Sequence, residues 1–341
     1  MTETSMRNDL NEELTRIAES IAFPSPGVVA LGGRTASAAA APALPGVPEA
    51  DALSGQLQRL LYEWCYCRRF GVAMPDAPAG SETEFLASLA AANTSRERWD
   101  AGWRIQQTLP SGQIAITKGA MVRMVWAGEF LAHGPPGMPP SPGAEVSLFA
   151  PRASRVMQPG FYFVFGEAVS DQEEEASLVR FYWHVTAAGA APLVAGLTQT
   201  LNRFAIPFRF KCLSMPQLFS RTDAAILYLA KRYYRIAARL LPEVYESVQP
   251  FLRAETPLFS KPLGRGLGFA ENPKSGESFG MHRCRIAAEA VCRAHARGID
   301  IAPERVAEIA AAFSAAGLSL ERPYLNPGSA DRYTFGESRA A

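Results

Sequence analysis

Two short segments carry an unusual load of reactive side chains for their apolar surroundings. In Val179-Arg-Phe-Tyr-Trp-His-Val185, apolar and polar residues alternate. A strand here turns Val179, Phe181, Trp183 and Val185 to a core and Arg180, Tyr182 and His184 to the other face. Phe208-Arg-Phe-Lys-Cys212 repeats the pattern, with Arg209 and Lys211 opposite Phe208, Phe210 and Cys212. Arginine binds phosphate through a bidentate fork, and a lysine hemmed in by cations holds its proton less tightly and can act as a neutral base. Two readings fit the pattern: a convergence of two arginines, a lysine, a tyrosine and a histidine if the polar faces align in one sheet, or two edge or half-exposed strands with ordinary solvated faces.

The charge distribution bears on that choice. The 341-residue chain has a formal net charge of +1, yet Arg180 to Arg285 holds 15 Lys and Arg against 6 Asp and Glu. Such a segment points to an anionic ligand. Nucleic acid is disfavoured, because the bases are scattered through apolar-periodic segments with no compact basic run. The five cysteines, Cys65, Cys67, Cys212, Cys284 and Cys292, form no CxxC pair, so neither a disulfide framework nor a structural zinc site is expected. Cys65 and Cys67 with His133, His282 or His295 could bind a metal in principle; buried small side chains are the favoured reading, and no metal or other cofactor is expected. No stretch approaches the ~20 apolar residues that cross a bilayer, and the start lacks a secretory plan, so no membrane contact and a cytoplasmic location are expected.

The elements that must position these residues suggest an α+β protein: a mainly helical N-terminal part, then a mixed or antiparallel sheet, then C-terminal helices. Leu10, Leu14, Ile17 and Ile21 mark an amphipathic helix over 1–23, and the Ala/Pro/Gly stretch 24–50 reads as a linker. Helical spacing runs from Asp51 to about Gln107, Ile114 to Trp126 reads as a hairpin about Lys118-Gly119, and 135–143 as an irregular loop. Beyond a boundary near 150, strands are expected at 160–168, 178–186, 207–213 and 223–229. Helices are expected at 188–204, at 231–248 interrupted or kinked at Pro242, at 281–297 and at 303–316. Asp171 to Glu175 reads as a solvated turn and 257–280 as a Gly/Pro-rich loop.

The runs NRFAIPFRFKCLSMPQLFSRTDAAILYL, TPLFSKPLGRGLGFAENP and GESFGMHR resemble the HopA family of bacterial type III effectors. Relatives of that family serve as the lyase half of two-protein dehydratases for ribosomally made, modified peptides of the class V lanthipeptide and thioamitide type. The resemblance covers roughly residues 150 to 300, and the combination PFRFK, RTDAAILY and GESFGxxR carries it. These lyases are in turn similar to phosphothreonine lyases, whose sites hold a lysine base, a histidine acid and phosphate-binding arginines. The resemblance implies the base at Lys211, the acid at His184, and further site residues at Arg221, Tyr228 and Arg283. It departs from the phosphothreonine lyases at Tyr182, where they carry a lysine.

The implied chemistry suits the residue types. β-Elimination of phosphate needs a base on the Cα hydrogen, stabilisation of the developing enolate-like charge and neutralisation of the leaving phosphate. Lys211 serves as base, and arginines such as Arg180, Arg221 and Arg283 serve as the phosphate clamp. Blander roles exist for each: Lys211 a strand-end surface lysine, Arg221 with Asp223 a turn ion pair, Arg283 the solvated face of a helix. Lys261, in a Gly/Pro-rich segment, is either a phosphate contact or a solubilising charge. With no Walker loop and no HRD plus DFG set, a separate kinase must phosphorylate the precursor peptide. Residues 51–150 are expected to contact that kinase or the precursor's leader, and 151–330 to form the phospholyase-like domain. The rivals are a non-catalytic phosphopeptide-binding module and an injected effector.

Overall fold

Alternation becomes strand and 3.6-residue spacing becomes helix through most of the chain in the computed structural model, which describes residues 3–36, 49–73, 80–134, 141–171, 174 and 176–336. The fold is α+β, and every strand pairing is antiparallel. Helix α1 (Glu3–Glu19) leads into a small sheet of β1 (Ile21–Ser25), β2 (Val28–Leu31) and β3 (Arg34–Thr35). Helix α2 (Glu49–Leu61) runs into a π-helical turn, Tyr62–Tyr66, and α3 (Glu82–Ala92) follows. A five-stranded sheet, order β6-β5-β4-β8-β7, is built from β4 (Arg98–Thr108), β5 (Ile114–Lys118), β6 (Met121–Val125), β7 (Phe130–Ala132) and β8 (Glu145–Ala150).

The central sheet has seven strands in the order β14-β15-β11-β13-β12-β10-β9. They are β9 (Ala153–Ser154), β10 (Phe161–Phe165), β11 (Leu178–Trp183), β12 (Phe208–Leu213), β13 (Ala225–Ala230), β14 (Lys261–Gly264) and β15 (Leu267–Glu271). Helices α4 (Ala187–Arg203) and α5 (Tyr234–Val248) cover one face, where Phe181 stacks on Tyr234 at 5.8 Å and Trp183 meets Tyr245. On the other face, α2 with its π-turn packs beside α6 (Phe279–Ala296), and Tyr182 meets Tyr66 and Phe279. Helix α7 (Ala302–Ala315) packs on α6 and α1. Buried on both sides, the central strands are apolar throughout except where the polar row intervenes.

Several expectations are corrected. The supposed linker contains β1 to β3, with Val29 and Leu31 fully buried, because the short apolar run Val28–Leu31 packs on α2; residues 37–48 of it lie outside the described residues. The helical reading to Gln107 fails at β4, where Trp103 and Ile105 enter a sheet core that local spacing does not reveal. The 257–280 loop holds the β14–β15 hairpin, and β15 pairs with β11. Gly266 permits the connection: it has φ +65°, and a Cβ there would lie 2.2 Å from the Arg253 carbonyl. Glu174 is buried rather than solvated, taking a hydrogen bond from the Tyr233 hydroxyl at 2.8 Å. Helix α5 continues through Pro242.

The cores cut the chain differently from a boundary at 150. Residues 98–148 hold a small core around Trp103, Ile116 and Val146. A single larger core runs from Leu14, Leu57 and Leu89 through the central sheet to Tyr333. The N-terminal helices therefore pack as part of the same body as the seven-stranded sheet.

Candidate functional site

Directly paired residues of antiparallel strands point to the same face of a sheet. Arg209 on β12 pairs with Tyr228 on β13, which pairs with Arg180 on β11. One step along, Phe163, Lys211, Ile226 and Tyr182 form the next row. Alternation thus brings Arg180, Tyr182, Arg209, Lys211 and Tyr228 onto one face. Both guanidinium groups lie over the Tyr228 ring, Arg180 at 5.1 Å and Arg209 at 5.0 Å from its centroid.

The polar face is enclosed rather than solvated. Arg180 is buried, and its Nε donates to Asn272 Oδ1 at 2.7 Å, with Nη2 on the same oxygen. Tyr182 is fully buried; its hydroxyl neighbours Tyr66 and Arg180 without closing a well-formed hydrogen bond to either, and burial pushes its pKa up to about 12. Lys211 is half-buried, its Nζ 4.2 Å from the Phe161 ring centroid and donating to Gln158 Oε1 at 2.8 Å. Burial, reinforced by the Arg180 charge, holds the Lys211 pKa below the ordinary lysine value, although Tyr228 and Asp223 oppose this. Arg209 has no hydrogen bond or ion pair among the described residues.

Other expected site residues are held by protein partners. Arg221 makes a bidentate ion pair with Asp223, at 2.8 and 2.9 Å, and its Nη2 reaches the Tyr62 hydroxyl at 3.4 Å. Arg283 is fully buried rather than on a solvated helix face. Its Nε and Nη2 donate to the Pro323 and Leu325 carbonyls at 2.7 and 2.8 Å, and Nη1 faces His282 Nδ1 at 2.6 Å. Burial pulls its pKa down to about 10 and that of His282 to about 4, so a neutral His282 can accept from Arg283. Lys261 pairs with Phe269, itself opposite Phe181, and so belongs to the other face, where Nζ donates to Asp331 and the Tyr333 carbonyl, both at 2.7 Å.

His184 extends β11 beside Gly266, whose carbonyl accepts its N–H. Two strand spacings and two residues along, it lies about 12 Å from Lys211 between Cα atoms. Its Nδ1 faces the Glu255 carbonyl at 3.1 Å and the Glu255 carboxylate at 3.4 Å, while the buried Nε2 has no partner. Burial lowers its pKa despite Glu255. With the proton on Nδ1, Nε2 is an acceptor, which suits proton donation poorly at neutral pH.

Sequence reasoning put Arg209 on the polar face but assigned it no role, and it missed Tyr62, Tyr66, Asn272 and Gln158. The Tyr62-x-x-x-Tyr66 spacing is that of one helix face, yet nothing local links it to strands about a hundred residues away. The π-turn is tied to the 220–224 loop: the Thr222 hydroxyl donates to the Tyr66 carbonyl at 2.6 Å, and its N–H to the Cys67 carbonyl at 2.8 Å. Gly280 allows this approach, since a Cβ there would lie 2.5 Å from the Tyr66 ring. Among the described residues, no three His, Cys, Asp or Glu side chains cluster as a metal site requires. No described helix is long and apolar enough to cross a membrane.

The fold has a solved counterpart. An effector protein from Pseudomonas syringae pv. tomato strain DC3000 is similar over 95% of this chain and 98% of its own, with a TM-score of 0.51 and 15% identity. Another, from Pseudomonas syringae pv. syringae strain 61, matches over 82% of this chain and 93% of its own, with a TM-score of 0.44 and 15% identity. At this identity the likeness concerns the fold alone. No curated protein matches the sequence. The HopA1 effector protein family matches residues 152–325, just over half of the chain and the stretch that supplies every strand of the polar face; the chain belongs to that family.

Proposed function

We propose that the chain is a phosphoserine or phosphothreonine lyase that acts in the cytoplasm on a peptide phosphorylated by a separate kinase. The observation that carries this reading is one group of side chains: Lys211 with a lowered pKa, flanked on a single sheet face by Arg180, Tyr228 and the unpaired Arg209. Neutral Lys211 takes the Cα proton and becomes an ammonium. The C–H electron pair forms the Cα=Cβ bond, the Cβ–O bond breaks, and phosphate leaves with the electrons of the Cβ–O bond as dehydroalanine or dehydrobutyrine forms. Arg209 and Arg180 neutralise the phosphate charge, and the Tyr228 hydroxyl, a neighbour of the lysine, is available to the developing oxyanion. Arg221 keeps the lower edge of the site in shape through Asp223 and Tyr62. The precursor would be of the lanthipeptide or thioamitide type.

A second reading, phosphopeptide capture without bond breaking, is favoured by His184, which stands apart from Lys211 and whose lowered pKa ill suits an acid. Family membership also fits an effector that binds a phosphorylated host protein. Incubation with a synthetic phosphoserine peptide separates these readings. Free phosphate and a peptide lighter by phosphoric acid are expected; tight binding with no loss of phosphate would leave a binding module.

A further inference from the structure

The Lys211 amine is restrained in a way that its proposed chemistry does not explain. Gln158 lies in the loop between β9 and β10, and its side-chain carbonyl oxygen accepts from Lys211 Nζ at 2.8 Å. The Phe161 ring lies 4.2 Å from the same nitrogen. Both contacts favour the ammonium over the amine. A base needs the lone pair free and aimed at a Cα hydrogen, so this geometry describes a lysine held in reserve.

The same loop displays the most exposed large apolar residue of the described chain. Val156 is 91% and Met157 52% exposed, two and one residues before Gln158. Single exposed apolar residues are ordinary, but these two directly precede the residue that holds the proposed base and form an apolar ledge on its loop. The loop closes through a turn, with the Phe161 N–H donating to the Gln158 carbonyl at 3.2 Å, so the ledge leads directly into the turn that begins at Gln158. The groups facing Lys211 are known from every side: Arg180 from β11, Tyr228 from β13, Asp223 from the preceding loop, and the apolar Phe161 and Phe163 from β10. Gln158 is the neutral member of this environment that a ligand can displace without breaking the sheet.

We propose that Gln158 is a positioning residue that restrains the Lys211 amine, and that apolar residues flanking the phosphorylated side chain of a peptide settle on Val156 and Met157 and release it. This inference rests on the lyase reading of Lys211. Loss of the Gln158 acceptor removes a contact to the ammonium and lowers the lysine's proton affinity, whereas a carboxylate at 158 raises it. The two substitutions therefore move one quantity in opposite directions, which a merely structural role does not do.

The chain has five lysines, so their methylated amines are resolvable by 13C NMR in the full-length protein, with Lys211 assigned through Lys211→Arg. Gln158→Leu is expected to titrate Lys211 at lower pH than the unmodified chain, and Gln158→Glu at higher pH. An uncharged peptide with alanine in place of the phosphorylated residue and the same apolar flanks should move the unmodified chain toward the Gln158→Leu value, whereas a phosphonate would add an opposing charge effect. Identical titration in all three proteins, or no response to the alanine peptide, overturns the proposal. In turnover, the ascending limb of kcat/KM against pH should follow the same shifts. Val156→Ser with Met157→Ser should raise KM for a phosphopeptide about tenfold, more than it lowers kcat; an unaltered KM removes the ledge. Shifted titrations in a chain that releases no phosphate would refute the lyase reading and leave the Gln158–Lys211 coupling standing.

Discussion

At the scale of single residues, the polar face separates groups free to act from groups already committed. Lys211→Met should leave Arg180 and Arg209 in place and stop proton abstraction. Supplied with kinase, ATP and precursor, that variant is expected to accumulate phosphorylated peptide, read by mass spectrometry. Dehydration at the unmutated rate would remove Lys211 as the base. Arg209→Ala should raise KM for the phosphopeptide roughly tenfold or more, because a charge-assisted contact to the phosphate is lost and no protein partner is orphaned. Arg283→Met behaves differently. It leaves the Pro323 and Leu325 carbonyls buried without donors, so a loss of about 2–5 kcal/mol of stability is expected in denaturant titration. A raised KM at unchanged stability would instead make Arg283 part of the phosphate clamp. The resemblance located Lys211 and Arg283 in the chain, and alternation placed Arg209 on the face of Lys211. Neither could tell a free guanidinium from one caged by carbonyls forty residues away.

At the scale of elements, two segments support the face from either side. The π-turn presses Tyr66 against Gly280, so Gly280→Ala should cost about 1–3 kcal/mol by overpacking and displace the 220–224 loop. The second support is the segment 322–336, pinned through Glu271 and Asp331. Glu271 accepts from Lys231 Nζ and the Tyr333 hydroxyl, both at 2.5 Å, and from the Asn326 N–H at 2.8 Å. Burial alone would raise its pKa, but these donors prevail and lower it; Asp331 is lowered in the same way by Lys261 and Tyr324. A carboxylate with a depressed folded-state pKa stabilises fully above its ordinary value, about 4, and this contribution is lost as pH falls through the folded value. Amide protection over 322–336 should therefore fall below about pH 4 while β12 and β13 remain protected. Equal loss in both would show that the segment does not release separately. Because Asn326 also donates to the Asn272 carbonyl, this release should loosen the residue that orients Arg180.

At the scale of the whole molecule, the shared core changes what a truncation does. Had the first fifty residues been an appendage, their removal would weaken partner binding and spare turnover of a short phosphopeptide. Leu14, Ile17, Val29 and Leu31 instead pack in the core that carries the central sheet, and Arg305 donates to the Ala18 and Ile21 carbonyls at 3.1 and 2.8 Å. Deleting residues 1–50 is expected to destabilise the entire protein, seen as a large fall in Tm or insoluble expression. A stable, fully active truncated protein would contradict this. Under the proposed function, a kinase or leader would dock on 98–150, which has a separate core and whose outer face exposes Trp99, Phe149 and Leu131.

The sequence alone determined the α+β class, the hairpin at Ile114–Val125, the strands of the polar face and the sharing of one face by Arg209 and Lys211. Each follows from local periodicity, because a strand's two-residue repeat leaves its mark in consecutive residues. Only the tertiary structure decided that the 24–36 segment is strand, that β15 joins the sheet centre, that Lys261 lies on the opposite face, and that Tyr62, Tyr66, Asn272 and Gln158 complete the site. Those outcomes depend on pairings between distant segments and on which polar groups find partners when water is excluded. No spacing within the chain encodes them, since the same lysine or arginine is free, restrained or caged according to what folds against it.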